Sequence, residues 1–159
     1  MNEILNQLKT ILSTSLTSRG ITTFFIGEIK IPAISKLPIC TVYPIETRQE
    51  HSGTVRDMVE YDIAITTYIN IRDYFDPTGQ EDKLDTLDEL VKIVEERETD
   101  GDLKTNTIMG IINANININS KVLYTNNMRA TYDTYYDAKG NPIAGVTVLF
   151  TAFDRPNRN

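Results

Sequence analysis

This chain has a single cysteine, a single histidine and no tryptophan, and the first two scarcities each close off a class of chemistry. With Cys40 alone there is no intrachain disulfide and no cysteine cage for a metal, a usage that fits a reducing cytoplasm. Cys40 reads instead as a small buried hydrophobe on a strand. With His51 alone, multi-histidine zinc sites are excluded, and a serine triad would have to use that one residue. His51 stands in the turn sequence HSG, where a solvated side chain is expected. No GxxxxGK[ST] loop cradles phosphates and no GxGxxG opens a helix.

Basic residues are also in the minority, 16 against 22 acidic ones for a formal charge of −6, which argues against tight binding to a phosphate backbone. Nothing approaches the roughly 20 consecutive apolar residues of a membrane span, and the first residues lack a basic leader followed by an unbroken apolar segment. The expectation is a soluble protein with no membrane partner. At 159 residues the chain is most simply one domain, residues 1–159, able to bury about two thirds of its unfolded surface.

What is present is periodicity. Ile4, Leu5, Leu8, Ile11, Leu12 and Leu16 recur at helical spacing, with Asn2 placed to cap the helix and Gly20 placed to end it in the left-handed region. LPICTVYPIE begins a strand in which Pro38 and Pro44 each remove a ladder donor, so it should lie at an edge or carry a bulge. After the HSG turn, VRDMVEYDIAITTYINI alternates, with Val55, Val59, Tyr61, Ile63, Ile65, Ile69 and Ile71 on one face and Arg56, Glu60, Asp62, Thr66 and Asn70 on the other. A strand of about 17 residues at ~3.3 Å each spans roughly 55 Å, whereas a compact domain of this size is about 40 Å across. The hairpin must bend at a bulge within one curled sheet, or project and be covered by something.

Thr78 and Glu81 form a capping box ahead of LDELVKIVEERE, a helix whose buried stripe is Leu84, Leu87, Leu90, Val91 and Val94 and whose other face is acidic. Asp73, Asp76, Glu81 and Asp82 lack the spacing of a calcium loop and read as a turn plus helix cap, so no metal or cofactor is expected. NANININS, residues 113–120, alternates so that Ala114, Ile116 and Ile118 face a core while Asn113, Asn115, Asn117 and Asn119 form an all-amide face, expected against another subunit or the water of a channel. A last hairpin, MRATYDTYYD to GVTVLFTAFD, turns through AKGNP, and Tyr132, Tyr135 and Tyr136 on it read as cross-strand packing or a protein contact. The fold class is α+β: a mainly antiparallel sheet with two helices packed on one side and a long projecting β-hairpin.

An N-terminal helix, the segment GEIKIPAISKLPICTVYPIE, the long EYDIAITTYINI strand, a charged middle helix and the closing GVTVLFTAFDR strand together resemble the tail terminator (tail-completion) proteins of long-tailed bacteriophages. The resemblance spans nearly the whole chain in element order. It implies a non-enzymatic virion protein, present in the host cytoplasm during assembly. That protein forms a hexameric ring on the last ring of tail tube protein, stops tail polymerisation and presents the surface that joins the head-completion or connector protein. DNA would pass through the lumen without being held. The hairpin at 39–71 would embrace a neighbouring copy through Val55, Met58, Glu60, Tyr61 and Ile63, and the four asparagines would face the lumen or a partner. Three other readings compete: a head-completion or connector protein of the same neck, a monomeric module receiving a peptide strand at an open edge, and an enzyme using His51 or the carboxylates around 73–82.

Overall fold

A computed structural model describes residues 1–30, 32–50, 58–71 and 83–155, with residue 50 and residues 83–85 described by backbone alone. His51, Val55, the capping box at Thr78 and Glu81, and the carboxylates Asp73, Asp76 and Asp82 lie outside the described residues.

Helix α1, Asn2–Leu16, forms as the apolar spacing requires and buries Ile4, Leu5, Leu8, Leu12 and Leu16. Met1 rather than Asn2 occupies the cap position, and no side chain caps it. A 3-10 turn, Thr17–Arg19, follows and ends at Gly20, whose φ of 79° lies in the left-handed region. The chain then makes a short strand, β1, Thr23–Ile26, that pairs parallel with β2, Ile39–Glu50. The sequence pattern does not signal β1, because a strand of four residues carries too little periodicity.

β3, Met58–Asn70, pairs antiparallel with β2 on one side and with β5, Pro142–Asp154, on the other. Among the described residues, β4, Tyr124–Tyr136, pairs only with β5. The sheet order is β1-β2-β3-β5-β4. Its odd-numbered β3 positions, Ile63, Ile65 and Ile69, join Val146, Val148 and Phe150 of β5 in one core with α1. Helices α2, Lys83–Glu95, and α3, Ile108–Ala114, contribute Leu90, Ile93, Val94, Ile108, Ile111 and Ile112 to that same core. All three helices therefore cover one face, giving a two-layer α+β architecture. The segment between β1 and β2 folds over one end of the opposite face, where Tyr68 Oη donates to the Ile29 carbonyl at 2.7 Å and Ile29, Ile34 and Leu37 pack on Ile39, Tyr68 and Ile143.

Two sequence expectations change here. β3 is bonded on both sides from Val59 to Tyr68, so no described part of the hairpin projects. Its 13 residues span roughly 43 Å at ~3.3 Å each, close to the domain diameter. The bulge expected near Pro44 is present, since Pro44 pairs with Ile63 and Glu46 with Asp62, leaving Ile45 extra. A second bulge sets Asn127 and Met128 opposite Phe150. Ile63 and Phe150 are themselves partners, so both bulges fall at one rung and bend the sheet there.

The second change concerns NANININS, which is not a strand. Thr107 caps α3, its hydroxyl accepting from the Gly110 N–H at 3.1 Å. The helix runs through Asn113 and ends with Asn115 capping it, Nδ2 donating to the Ile111 carbonyl at 2.9 Å. Ile118, Asn119 and Ser120 then all take positive φ, at 47°, 52° and 65°. Asparagine tolerates this region far better than β-branched residues do, and full burial of Ile118 in the core holds its own backbone there. The expected buried stripe of α2 is also shifted: Leu90 and Val94 are buried with Ile93, but Leu87 is 44% exposed.

Candidate interaction surfaces

At the bulged end, no described helix or loop covers the face of the sheet away from the helices. Alternation places Met58, Glu60 and Asp62 of β3 on it. Arg48 Nη2 stands 2.7 Å from Asp62 Oδ2, and Arg48 Nε stands 3.4 Å from Glu60 Oε2. Thr151 Oγ1 donates to the other Asp62 oxygen at 2.7 Å. One guanidinium thus ties two strands, and a hydroxyl from a third holds the carboxylate in place. Farther along the same face, the Thr66 and Thr147 hydroxyls are 3.0 Å apart, with Tyr43 Oη 3.3 Å from Thr66.

The β2 margin carries three exposed apolar residues, Phe25, Ile26 and Ile45. β1 covers β2 only from Ile39 to Val42, so beyond that point β2 is itself an edge among the described strands. Phe25 and Ile26 are each 40% exposed and Ile45 is 55% exposed. Phe25 and Ile26 are level with Thr41 and Val42, which puts them about 13 Å and about 10 Å from Ile45 along the strand direction. Apolar residues grouped at an open edge are more typical of an interface than of a surface meant for water.

Of the residues expected at a subunit interface, Glu60 and Met58 lie on the face away from the helices. Tyr61 turns inward and packs against the core. Ile63 is 0% exposed inside that core, so it cannot meet a neighbour. The inward run of β3 fixes this result, because the apolar face that looked available for contact is the one the helices bury. The asparagines are dispersed as well: Asn113 is helical, Asn115 is a half-buried cap, and Asn117 and Asn119 are exposed in the turn. They form no amide row. That turn instead sets Lys121 Nζ 3.0 Å from Glu3 Oε2, fastening it to the start of α1.

Three carboxylates of the expected acidic face, Glu89, Glu95 and Glu96, have partners. Glu89 pairs with Lys92 at 2.8 Å, and Glu95 accepts from Tyr132 Oη at 2.7 Å. Glu96 stands 2.6 Å from Lys104 and 2.5 Å from Arg19; the Lys104 and Arg19 bonds hold its carboxyl below the usual range. Burial, with the Glu95 carboxylate, raises the Tyr132 phenol well above its ordinary value. The three tyrosines divide between the two faces: Tyr132 meets α2, Tyr135 meets Tyr68 edge-on at 5.4 Å between centroids, and Tyr136 is 60% exposed. Beside Tyr136, Leu87 and Leu90 of α2 face Tyr132 and Ala144 across a cleft of about 590 Å³.

Cys40 is buried as expected, and burial pushes its thiol up to about 12. No cluster of three metal-ligating side chains occurs among the described residues, and no described helix is long and apolar enough to cross a membrane. Comparison with protein-family models and with curated protein sequences finds no match to this chain.

Proposed function

We propose that this chain is a structural subunit of a phage tail neck. It assembles head-to-tail with copies of itself into a ring, hexameric in the terminator reading. The ring caps the tail tube, stops its growth and offers its far side to the head-completion or connector protein, while DNA passes through the lumen. The observation that carries this reading is the β2 margin, where Ile45, exposed at the bulge, adjoins the Arg48–Glu60–Asp62 network, and Phe25 and Ile26 are exposed on the neighbouring β1. An apolar centre rimmed by charge is the usual composition of a protein interface. It replaces the projecting arm as the contact surface, with Met58 and Glu60 retained from the original set. A margin of this kind meeting a different surface on the next copy is a heterologous contact, and such contacts close into rings when the rotation permits.

The test is mass by light scattering across concentration, with and without purified tail tube protein. The ring reading expects a species near six times 18.0 kDa, alone or on the tube, and arrested tube growth. Ile45→Glu should abolish both while leaving the circular dichroism unchanged. Unhindered tube growth in the presence of wild-type protein overturns the reading.

A further inference from the structure

We infer that β4 is a self-pairing edge, which joins two copies of this chain through an antiparallel β4–β4 contact centred on Thr131. The contact uses the margin of the sheet opposite to β2, so it goes beyond the ring reading and does not rest on it.

The orientation of the β4 main chain comes first. Asp137 N–H donates to the Asn141 carbonyl at 3.0 Å, which makes that rung a bonded one. Alternation then turns the main-chain groups of Tyr135, Asp133, Thr131 and Arg129 toward β5, and those of Thr134, Tyr132, Ala130 and Met128 toward the open side. Thr134 confirms it, because its N–H is taken by Asp133 Oδ1 at 2.8 Å instead of by β5. Between the bulge at Asn127–Met128 and the Asp137 turn, the strand contains no proline and no lysine. Proline and lysine are two of the devices that blunt an edge; the charges this one does carry are Arg129 and Asp133.

The side chains then choose the partner and the register. In an antiparallel pair centred on Thr131, Arg129 of one copy stands opposite Asp133 of the other, and the reverse holds across the two-fold axis. Both side chains are exposed and on the same face. On the other face Ala130 meets Tyr132, a small residue against a large one. The register matches the backbone: Arg129–Asp133 is a rung without main-chain bonds on the new side, where side chains approach most closely. With the Thr134 N–H taken by Asp133 Oδ1 in each copy, the outward groups of residues 128–134 supply about six main-chain hydrogen bonds, and the pairing stops where the Asn127 bulge begins. Centring on Arg129 sets two arginines face to face, and no other antiparallel register brings Arg129 opposite Asp133. A strand that is complementary to its own reverse specifies a second copy of itself.

Sedimentation velocity on the full chain tests this by charge reversal. Wild type should reach twice 18.0 kDa. Arg129→Asp and Asp133→Arg should each raise the dissociation constant at least about tenfold, because each reverses both cross-strand pairs. Mixing the two variants should restore dimers, since the heterodimer regains both opposite-charge pairs, and the double swap should restore them within one chain. Oxidation of Thr131→Cys should yield a covalent dimer, whereas Thr134→Cys should not. A wild type that stays monomeric, or single reversals that pair as well as wild type, overturn the inference. A six-copy species indifferent to both reversals overturns the pairing while leaving the ring standing; dimers with unhindered tube growth do the opposite.

Discussion

Gly110→Ala should be among the most damaging small substitutions in this protein. A methyl group built on Gly110 would lie 2.0 Å from the Lys104 carbonyl oxygen and 2.8 Å from both the Lys104 carbonyl carbon and Thr107 Oγ1. Two of those three atoms are backbone, so no rotamer change relieves the clash. The Lys104 carbonyl also accepts from Thr107 N–H at 3.1 Å and from its hydroxyl at 2.8 Å. Moving it breaks the turn that seats the α3 cap. Loss of the cap costs about 1 kcal/mol, the hydroxyl bond about 1 more, and residual overpacking about 1–3, for a sum of roughly 3–5 kcal/mol. At this chain length that corresponds to a fall of roughly 10–15 °C in Tm. Thr107→Ala removes the same cap and hydroxyl bond without the clash, at about 1–2 kcal/mol, while Thr107→Ser should stay within about 0.5 kcal/mol of wild type. Chemical denaturation monitored by circular dichroism reads all three. A Gly110→Ala protein no less stable than Thr107→Ala would refute the close approach of residues 104–107 to α3.

Gly145→Ala should cost about 1–3 kcal/mol, because its methyl would meet the Tyr135 ring at 2.6 Å. In a Tyr135→Ala background the same change should cost little, and equal costs in both backgrounds would show that the rings do not lie over Gly145. Ile63→Ala should destabilise the monomer by about 2–5 kcal/mol without changing assembly per folded molecule, as measured by scattering on the folded fraction. Cys40, with its thiol raised to about 12, should resist aromatic disulfide reagents at pH 8 until the protein unfolds; rapid labelling of native protein contradicts that burial. Asp137 is held below its ordinary value of 3.8, first by the Asn141 side chain and then by the Asn141 N–H. Its stabilisation of the β4–β5 turn is therefore fully present above pH 3.8 and is lost as pH falls through the lowered value. The Asn141 amide shift, followed by NMR, should titrate below 3.8, and a midpoint above it would reverse the sign.

The helix stripe of α1 and the inward face of β3 are legible because one physical term, apolar burial at a fixed period, decides each; the bulge after Pro44 is legible from the donor that proline lacks, and the burial of Cys40 from its residue type. NANININS misleads for the opposite reason. Its period-two spacing outweighed two local signals, a threonine cap at 107 and asparagine's tolerance of the left-handed region, and tertiary burial of Ile118 settled the outcome. The true α3 pattern, Ile108, Ile111 and Ile112, was present one turn earlier in the sequence. The candidate surfaces were less legible. Which edge of β2 is open depends on β1, a strand formed by parallel pairing with residues 39–42, and such long-range pairing leaves no mark in a short segment. The two-bulge rung is likewise a property of four strands in register.

That rung sets the shape of the whole sheet. Between the same two rungs, β2 takes two steps, Pro44 to Ile45 to Glu46, where β3 takes one from Ile63 to Asp62. β4 takes three, Asn126 to Arg129, where β5 takes two from Thr151 to Leu149. Both flanks are thus longer than the midline by one residue, roughly 3.3 Å. The extra residue on each flank kinks its strand and raises the local right-handed twist, Asn127 by taking a φ of 59°. Copies joined along such margins inherit a fixed tilt from one to the next, so the angle of any assembly is written into the surplus of Ile45 and Asn127.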